Sequence, residues 1–158
     1  MEWRHTSSPK LKKLRVQRSS CKVMWTLFWD YIGPMVEHYM PIGSTVIIAT
    51  YSYLLRENLK PAIRQKRRGL LTTGMCLLHD NARPYTATAT VSTIEDLWFE
   101  FIPHPPQSSD LAPSDFHVLG QLKFRDDDEF RSAMHEWLRT RPKELFSRGI
   151  YALFKRWR

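Results

Sequence analysis

The chain has 158 residues, 42% of them hydrophobic and 13% aromatic, which is a globular composition and enough material for one domain with a core. Its 24 lysines and arginines exceed its 16 aspartates and glutamates, and the net charge of +8 indicates a polyanionic partner or, equally on charge alone, a generally basic protein. Two cysteines, Cys21 and Cys76, exclude a disulfide framework and favour a reducing compartment. No apolar run approaches the roughly 18 residues of a membrane span, and the N-terminus lacks the apolar region of a secretory signal.

Residues 1–20 are polar and basic and have neither a helical nor a strand period. We therefore predict an extended arm or loop there, with cations that are candidates for contacting nucleic acid. These cations are Lys10, Lys12, Lys13, Arg15 and Arg18.

Two apolar segments, residues 21–30 and 34–40, flank a Gly-Pro turn and predict a β-hairpin. From Thr50 to about Lys66, apolar residues recur at helical spacing, and Gly69 is suited to ending that helix behind a run of cations. The cations of this run are further candidates for binding nucleic acid. They are Arg64, Lys66, Arg67 and Arg68.

Residues 74–80 have the length and flanks of a buried strand, and residues 99–103 form a further short strand. Between them, residues 86–99 combine a Thr-Ala alternation with apolar residues at helical spacing, and we favour a helix because Pro84 suits a first turn. Residues 104–116 are rich in proline and serine and predict a loop, with Ser114 capping a following helix.

The C-terminal part shows two apolar stripes at helical spacing, so we expect it to be helical throughout. The stripes are Phe130, Ala133, Met134, Trp137 and Leu138, and then Phe146, Ile150, Leu153, Phe154 and Trp157. The predicted order is β-β-α-β-α-β-α-α-α, a mixed α/β layer fold.

Two acidic residues are candidates for chemistry. Asp80 ends a predicted strand, and in open α/β sheets functional groups gather beyond the carboxyl ends of strands. Asp115 stands directly before a predicted helix. A pair of carboxylates suits Mg²⁺, and two such ions about 3.5–4 Å apart can clamp both oxygens of a phosphoryl transfer. Each acid alone is weak evidence, because strand-end and helix-capping aspartates are common.

The spacing of these motifs resembles a known family. "LLHDNARP" is followed by "PHPP" and "DLAPSDFH", with 34 residues between Asp80 and Asp115. This pattern resembles the catalytic core of the mariner branch of the Tc1/mariner transposases, whose signature has the same spacing. "KVMWTLFWD", "EHYMP", "LRENLKPAIRQKRRGLL" and "HEWLRTRPKELFSRGI" also resemble mariner sequence, so the resemblance covers nearly the whole chain. The chain is similar as well to the mariner half of histone methyltransferase–transposase fusions.

The resemblance implies an α/β fold, an RNase H-like mixed sheet with flanking helices. In that family, three aspartates hold two Mg²⁺ or Mn²⁺ ions that cut and join DNA, and Asp80 and Asp115 correspond to the second and third. The first would lie upstream of Met1, on the central strand. We therefore expect residues 1–20 to be the remnant of an arm or linker loop, and residues 21–158 to be a truncated core with C-terminal helices. Without that strand, its two neighbours expose unpaired backbone edges.

The same resemblance implies DNA as the partner, a possible homodimer, a nuclear or intracellular location, and no small-molecule cofactor. We expect DNA binding without sequence preference and a catalytically dead site, because one metal-binding aspartate is missing. Two alternatives stay open. One is a non-enzymatic DNA-binding or dimerisation module derived from a transposase. The other is the product of a decayed element with no selected role.

Other acidic and histidine residues near the two aspartates are candidates for the same site. Asp30 is the obvious substitute for the missing acid, but by the family fold it emerges at the opposite edge of the sheet. The acidic run at 126–129 fits a solvated helix start. His79 precedes Asp80 on a strand and so faces away from it.

Asn81 and His117 are candidates for supporting the metal ligands, and Arg83 for contacting nucleic acid. The sequence departs from the family pattern at Tyr85, which replaces a histidine. It departs again at Gln107 and Ser109, which replace a tyrosine and a proline. The stretch "GQLKFRDDDE" is shorter than its family counterpart.

Overall fold

The structure is a computed structural model that describes residues 24–105, 108–118 and 127–157. The predicted arm and the acidic residue Asp126 lie outside these ranges. The elements are β1 (Trp25–Trp29), β2 (Pro34–Tyr39), α1 (Ile48–Tyr53), a π-helical segment (Leu54–Leu59), α2 (Lys60–Lys66), α3 (Leu70–Thr73), β3 (Met75–Leu78), α4 (Arg83–Thr86), α5 (Thr88–Asp96), β4 (Phe99–Ile102), a 3₁₀ turn (Ser109–Leu111), a π-helical turn (Ser114–Val118), α6 (Asp127–Thr140) and α7 (Lys143–Arg156). Within the described ranges, the helices are too short or too polar to cross a bilayer.

The predicted hairpin is present. Strands β1 and β2 pair antiparallel, with Trp25 opposite Tyr39. The connecting turn is held by the Asp30 carboxylate, which accepts hydrogen bonds from the backbone N–H groups of Ile32 and Gly33 at 2.9 and 3.0 Å. Gly33 has φ +147°, a conformation that side chains disfavour, so the turn depends on glycine there.

The second sheet pairs β3 with β4 in parallel, from Met75 opposite Phe99 to Leu78 opposite Ile102. Helices α4 and α5 connect the two strands, as a parallel pair requires. In the described part of the chain, this pair and the hairpin are separate two-stranded sheets with no ladder between them.

The core is built on one long helical segment, residues 48–66. The predicted apolar stripe is buried, since Leu54, Leu55, Leu59 and Ile63 are all at most 1% exposed. The π-helical stretch inside this segment, an expansion of the α-helical turn, was not predicted. This stripe packs with the inner faces of both sheets into one cluster, so the helical segment joins two sheets that share no hydrogen bonds.

Helix α2 ends at Lys66, as predicted, but Arg67 and not Gly69 ends it. Arg67 leaves the helical conformation and turns toward the hairpin. Its guanidinium donates to both carboxylate oxygens of Asp30 at 2.6 and 3.0 Å, and the two side chains are only 15% and 16% exposed. The Lys66 ammonium donates to the carbonyl oxygen of Met35 at 2.8 Å. Two cations predicted to face nucleic acid therefore hold the hairpin onto the helix.

This ion pair sets the ionisation of Asp30. Burial by itself raises the pKa of the carboxyl, but the hydrogen bonds from Arg67 and from the two backbone amides outweigh burial and hold the pKa below its ordinary value. The Asp30 carboxylate is therefore a structural group, bound to Arg67 and to its own turn.

The C-terminal helices confirm the predicted stripes only in part. Met134, Leu138 and Phe146 are at most 1% exposed. Phe154 and Trp157, assigned to the same stripe as Phe146, are 67% and 39% exposed. Both of them line an open cleft beside the hairpin, where no described side chain packs over them.

Asp30→Asn is expected to lower the free energy of unfolding at pH 7 by about 2–3 kcal/mol, since it leaves the largely buried Arg67 guanidinium without an anionic partner. The pKa of Asp30 is lower in the folded chain than in the unfolded chain. The destabilisation by Asp30→Asn is therefore full above about pH 4 and shrinks as the pH falls below the unfolded-state pKa of 3.8. Urea unfolding at pH 7 and pH 3 measures both.

Asp96→Asn is the matched control, since the Arg56–Asp96 pair is 47% and 62% exposed and should contribute under about 1 kcal/mol. The double variant Asp30→Asn/Arg67→Met should recover part of the loss. Equal costs for the two single variants would contradict the role given to the Asp30–Arg67 pair.

Candidate metal and nucleic-acid site

Asp80 and Asp115 lie on the same pocket, which has a volume of about 350 Å³. Both side chains are exposed. The remaining lining is provided by Leu78, His79, His104, Ser108, Ala112, Pro113 and Ser114. The structure thus brings together the two carboxylates that the sequence pattern singled out.

Asp80 reaches the pocket because β3 ends at Leu78 and the chain turns out beyond the carboxyl end of the sheet. Asn81 holds this turn in place. Its side-chain amide donates to the carbonyl oxygen of His104, the second residue after β4, and its backbone N–H donates to the Asp80 carboxylate. Asn81 therefore ties the ends of the two parallel strands together.

Asp115 is held by the short π-helical turn that begins at Ser114. Its backbone N–H donates to the carbonyl oxygen of Ala112 at 2.9 Å. The Ser114 hydroxyl oxygen accepts a hydrogen bond from the Trp29 indole at 3.0 Å, and the predicted cap bond to a backbone N–H is absent among the described residues. The bond from Trp29 anchors the Asp115 turn to the end of β1.

His117 does not support the pocket in the way the sequence suggested. Its Nε2 lies 2.6 Å from the carbonyl oxygen of Leu145, so this nitrogen carries the proton and donates toward α7. Gly149 makes the close approach possible, since a Cβ there would lie 2.8 Å from the His117 ring and 3.1 Å from Trp29. His117 therefore docks α7 against the turn that carries Asp115.

The His79 ring packs into an aromatic cluster, and one edge of the ring reaches the pocket. Its Nδ1 lies 2.9 Å from the Tyr51 hydroxyl, and its ring stacks on Tyr85 and contacts Phe101. Burial lowers the pKa of His79 to about 4, against the opposing effect of the nearby Asp80 charge. Tyr85, the departure from the family pattern, fills this cluster and lies 4.5 Å from the Tyr51 ring centroid.

His104 is a pocket residue that sequence reasoning missed. It is 7% exposed, and its Nδ1 lies 2.8 Å from the carbonyl oxygen of Pro105, so this nitrogen donates. Its Nε2 is buried without a hydrogen-bond partner in the described structure. The sequence signal for it was its position, directly after the predicted strand of residues 99–103 and before two prolines.

The donor set fits one hydrated divalent ion. Mg²⁺ is commonly held by one or two carboxylates while water and phosphate oxygens complete its shell, and Asp80 and Asp115 supply such a pair in an open pocket. Across the described ranges, no group of three or more His, Cys, Asp or Glu side chains has the geometry to hold a metal.

The predicted nucleic-acid contacts divide into three sets. Arg64, Arg68 and Arg83 are exposed and show no ion pair within the described chain. Lys66 and Arg67 are occupied by the hairpin, as described above. The cations of residues 10–18 lie outside the described residues.

The His79 cluster predicts a pH-dependent loss of stability. Between about pH 6.5 and pH 4 the unfolded chain protonates His79 while the folded chain does not, so the free energy of unfolding falls as the pH falls. Because the ring is partly exposed, we expect a loss of about 1–2 kcal/mol. His79→Gln should flatten this slope in urea-unfolding curves taken across the range.

His135→Gln is the control, because His135 is 57% exposed and pairs only with Glu37 in the described structure. His135→Gln should leave most of the dependence of the unfolding free energy on pH unchanged. An unchanged slope in His79→Gln would contradict the burial of a neutral His79.

Comparison with known proteins identifies relatives. Residues 1–73 match the family Transposase_1, described as a transposase with a partial DDE domain. The chain is 32% identical over 177 aligned positions to the mariner Mos1 transposase of Drosophila mauritiana, covering 99% of this chain and 51% of that protein. It is 30% identical over 143 positions to the histone-lysine N-methyltransferase SETMAR of Homo sapiens, covering 86% of this chain and 21% of that protein.

The fold agrees with these relatives. The structure of the Mos1 transposase catalytic domain with Raltegravir and Mg matches with a TM-score of 0.76 at 33% identity, covering 87% of this chain and 72% of that one. The predicted RNase H-like α/β class is thereby confirmed. The chain spans about half the length of Mos1 transposase and about a fifth of SETMAR. The chain belongs to the mariner transposases.

Proposed function

We propose that this chain is a mariner transposase catalytic-domain segment that binds DNA without sequence preference and does not by itself complete strand cleavage. The observation that carries the proposal is the pocket that joins Asp80 and Asp115. The Mos1 catalytic domain was solved with Mg, which supports a divalent ion, Mg²⁺ or Mn²⁺, at the corresponding carboxylates here.

The reaction needs more than this pocket supplies. A two-ion phosphoryl transfer requires ligands that hold both ions about 3.5–4 Å apart. Asp80 and Asp115 would hold one such ion, which would supply Lewis-acid chemistry, and the described residues offer no further ligands for a second ion. We therefore propose that the described chain binds metal weakly and lacks strand-transfer activity.

DNA affinity follows from charge. The chain carries +8, and Arg64, Arg68 and Arg83 are exposed cations free to contact phosphates. Binding through such contacts falls steeply with salt. A DNA partner makes a nuclear or intracellular location the natural one, and a homodimer remains part of the proposal.

A second candidate is a non-enzymatic DNA-binding or dimerisation module. The observation that favours it is that the described residues form no metal cluster of three ligands, while the exposed cations do not depend on metal. The two candidates differ in whether the carboxylates matter: the first requires metal at Asp80 and Asp115, and the second does not.

A plasmid-nicking assay with Mg²⁺ or Mn²⁺ tests the proposed inactivity. We expect no cleavage above the level given by the variant Asp80→Asn/Asp115→Asn, because the described residues place two carboxylates and no third ligand at the pocket. Robust cleavage that disappears with Asp80→Ala would overturn the inactive assignment.

DNA binding is tested by titrating a labelled duplex at several salt concentrations. Arg64→Gln/Arg68→Gln is expected to lower the slope of log K against log salt by about 2, since each phosphate contact contributes about 0.9. Arg139→Gln/Arg148→Gln removes the same charge from the C-terminal helices and should change the slope less. Equal effects would exclude the Arg64–Arg68 surface as the DNA contact.

A further inference from the structure

The acidic pocket contains a buried polar atom whose hydrogen bonding is incomplete. His104 lines this pocket together with Asp80 and Asp115 and is only 7% exposed. Its Nε2 is buried and has no hydrogen-bond partner among the described residues. Such atoms are uncommon in folded proteins, because a buried polar group without a partner has lost its bonds to water and gained none in return. The Nε2 of His104 is therefore a candidate for contacting a ligand.

Two hydrogen bonds set the position of His104. The Asn81 side-chain amide donates to the His104 carbonyl oxygen, which ties this residue to the turn that carries Asp80. The His104 Nδ1 lies 2.8 Å from the carbonyl oxygen of Pro105. Because a carbonyl oxygen only accepts, Nδ1 carries the proton of this bond. Both the backbone and the ring of His104 are thus fixed relative to the pocket.

The position of this proton decides what Nε2 can bind. In a neutral imidazole one nitrogen donates and the other carries a lone pair, and the hydrogen bond made by one nitrogen sets the role of the other. The Nδ1–H bond to Pro105 therefore leaves Nε2 of His104 as an acceptor. An acceptor needs a ligand that donates a hydrogen bond. The oxygen of a DNA phosphate only accepts, so it does not fit this atom.

Direct ligation of a metal by His104 does not fit the geometry. Within the described ranges, Asp80, Asp115 and His104 do not form a group of three side chains that could hold one ion. An Mg²⁺ ion bound by two carboxylates keeps several water molecules, because it dehydrates reluctantly. The charge of the ion polarises these water molecules and makes them strong donors. The hydration shell of such an ion therefore offers the kind of group that Nε2 requires.

We propose that the Nε2 of His104 accepts a hydrogen bond from the hydration shell of a divalent ion held by Asp80 and Asp115. His104 is then a positioning residue, which fixes one water molecule beside the two carboxylates. Asn81 belongs to the same unit, because it joins the His104 backbone to the Asp80 turn. The inference rests on the proposed metal site, and the experiments below distinguish the failure of one from the failure of the other.

Nitrogen-15 NMR of the histidine rings in the full chain tests the contact directly, with Mg²⁺ alone as the probe. The Nε2 resonance of His104 is assigned by its loss in His104→Gln. It should lie in the range of an unprotonated nitrogen and move toward the protonated range as Mg²⁺ is added. His135 is the internal control, because it is 57% exposed and does not line the pocket. We expect the His135 resonances to stay in place.

Two substitutions of His104 form a matched pair. The side-chain amide of glutamine reaches about as far as Nε2, whereas that of asparagine reaches only as far as Nδ1. We expect His104→Asn to weaken Mg²⁺ binding about tenfold and His104→Gln to weaken it no more than about threefold. The backbone amide of Asn81 donates to the Asp80 carboxylate, so its resonance reports the affinity in each variant. Urea unfolding checks that both variants fold.

The possible failures are distinct. An Asn81 shift that depends on Mg²⁺ and is lost in Asp80→Asn/Asp115→Asn, with no movement of the His104 Nε2 resonance, would overturn this inference and leave the metal site intact. Equal affinities of His104→Asn and His104→Gln would also overturn it, since a purely structural ring predicts that result. If Mg²⁺ shifts neither Asn81 nor His104, the proposed metal site and this inference fail together.

Discussion

Among the described residues, the hairpin shares no hydrogen-bonded ladder with the other sheet, so its attachment depends on side-chain contacts and on the bond from Lys66 to a hairpin carbonyl. Three contacts attach it to the segment of residues 48–67, which is helical up to Lys66: the Asp30–Arg67 ion pair, the Lys66 bond to the Met35 carbonyl, and the stacking of Phe28 on Tyr51 at 6.1 Å. Because this segment also packs against β3, it holds the two sheets on either side of an open cleft.

The same attachment positions the acidic pocket. Trp29, the last residue of β1, binds Ser114 through its indole and contacts Phe146 of α7 at 5.8 Å. Asp115 follows Ser114 directly, so its location depends on the hairpin, whereas Asp80 depends on β3. The two carboxylates therefore reach the pocket from separate parts of the fold, Asp80 from the end of β3 and Asp115 from the turn anchored to β1. A shift of the hairpin would move one metal ligand relative to the other.

Much of this architecture could be predicted from local sequence. The helical stripe from Tyr51 to Ile63, the strand that leads to Asp80 and the placement of Asp80 and Asp115 on one pocket all followed from period, flanks or family spacing. The roles of Arg67 and His117 could not, because their partners, Asp30 and Leu145, lie 37 and 28 residues away. Composition alone made Arg67 look like a surface cation. His117 is turned toward α7 by a contact that exists only because residue 149 is glycine.

The central claim is that Asp80 and Asp115 form a one-ion site in a mariner fold whose described residues offer no third ligand. Titration of the full chain with Mn²⁺, followed by electron paramagnetic resonance of the free ion, measures the number of sites directly. One weak site per chain, with a dissociation constant on the order of millimolar and lost in both Asp80→Asn and Asp115→Asn, is the predicted result. Two ions bound per chain, or one ion whose binding survives both substitutions, would contradict it.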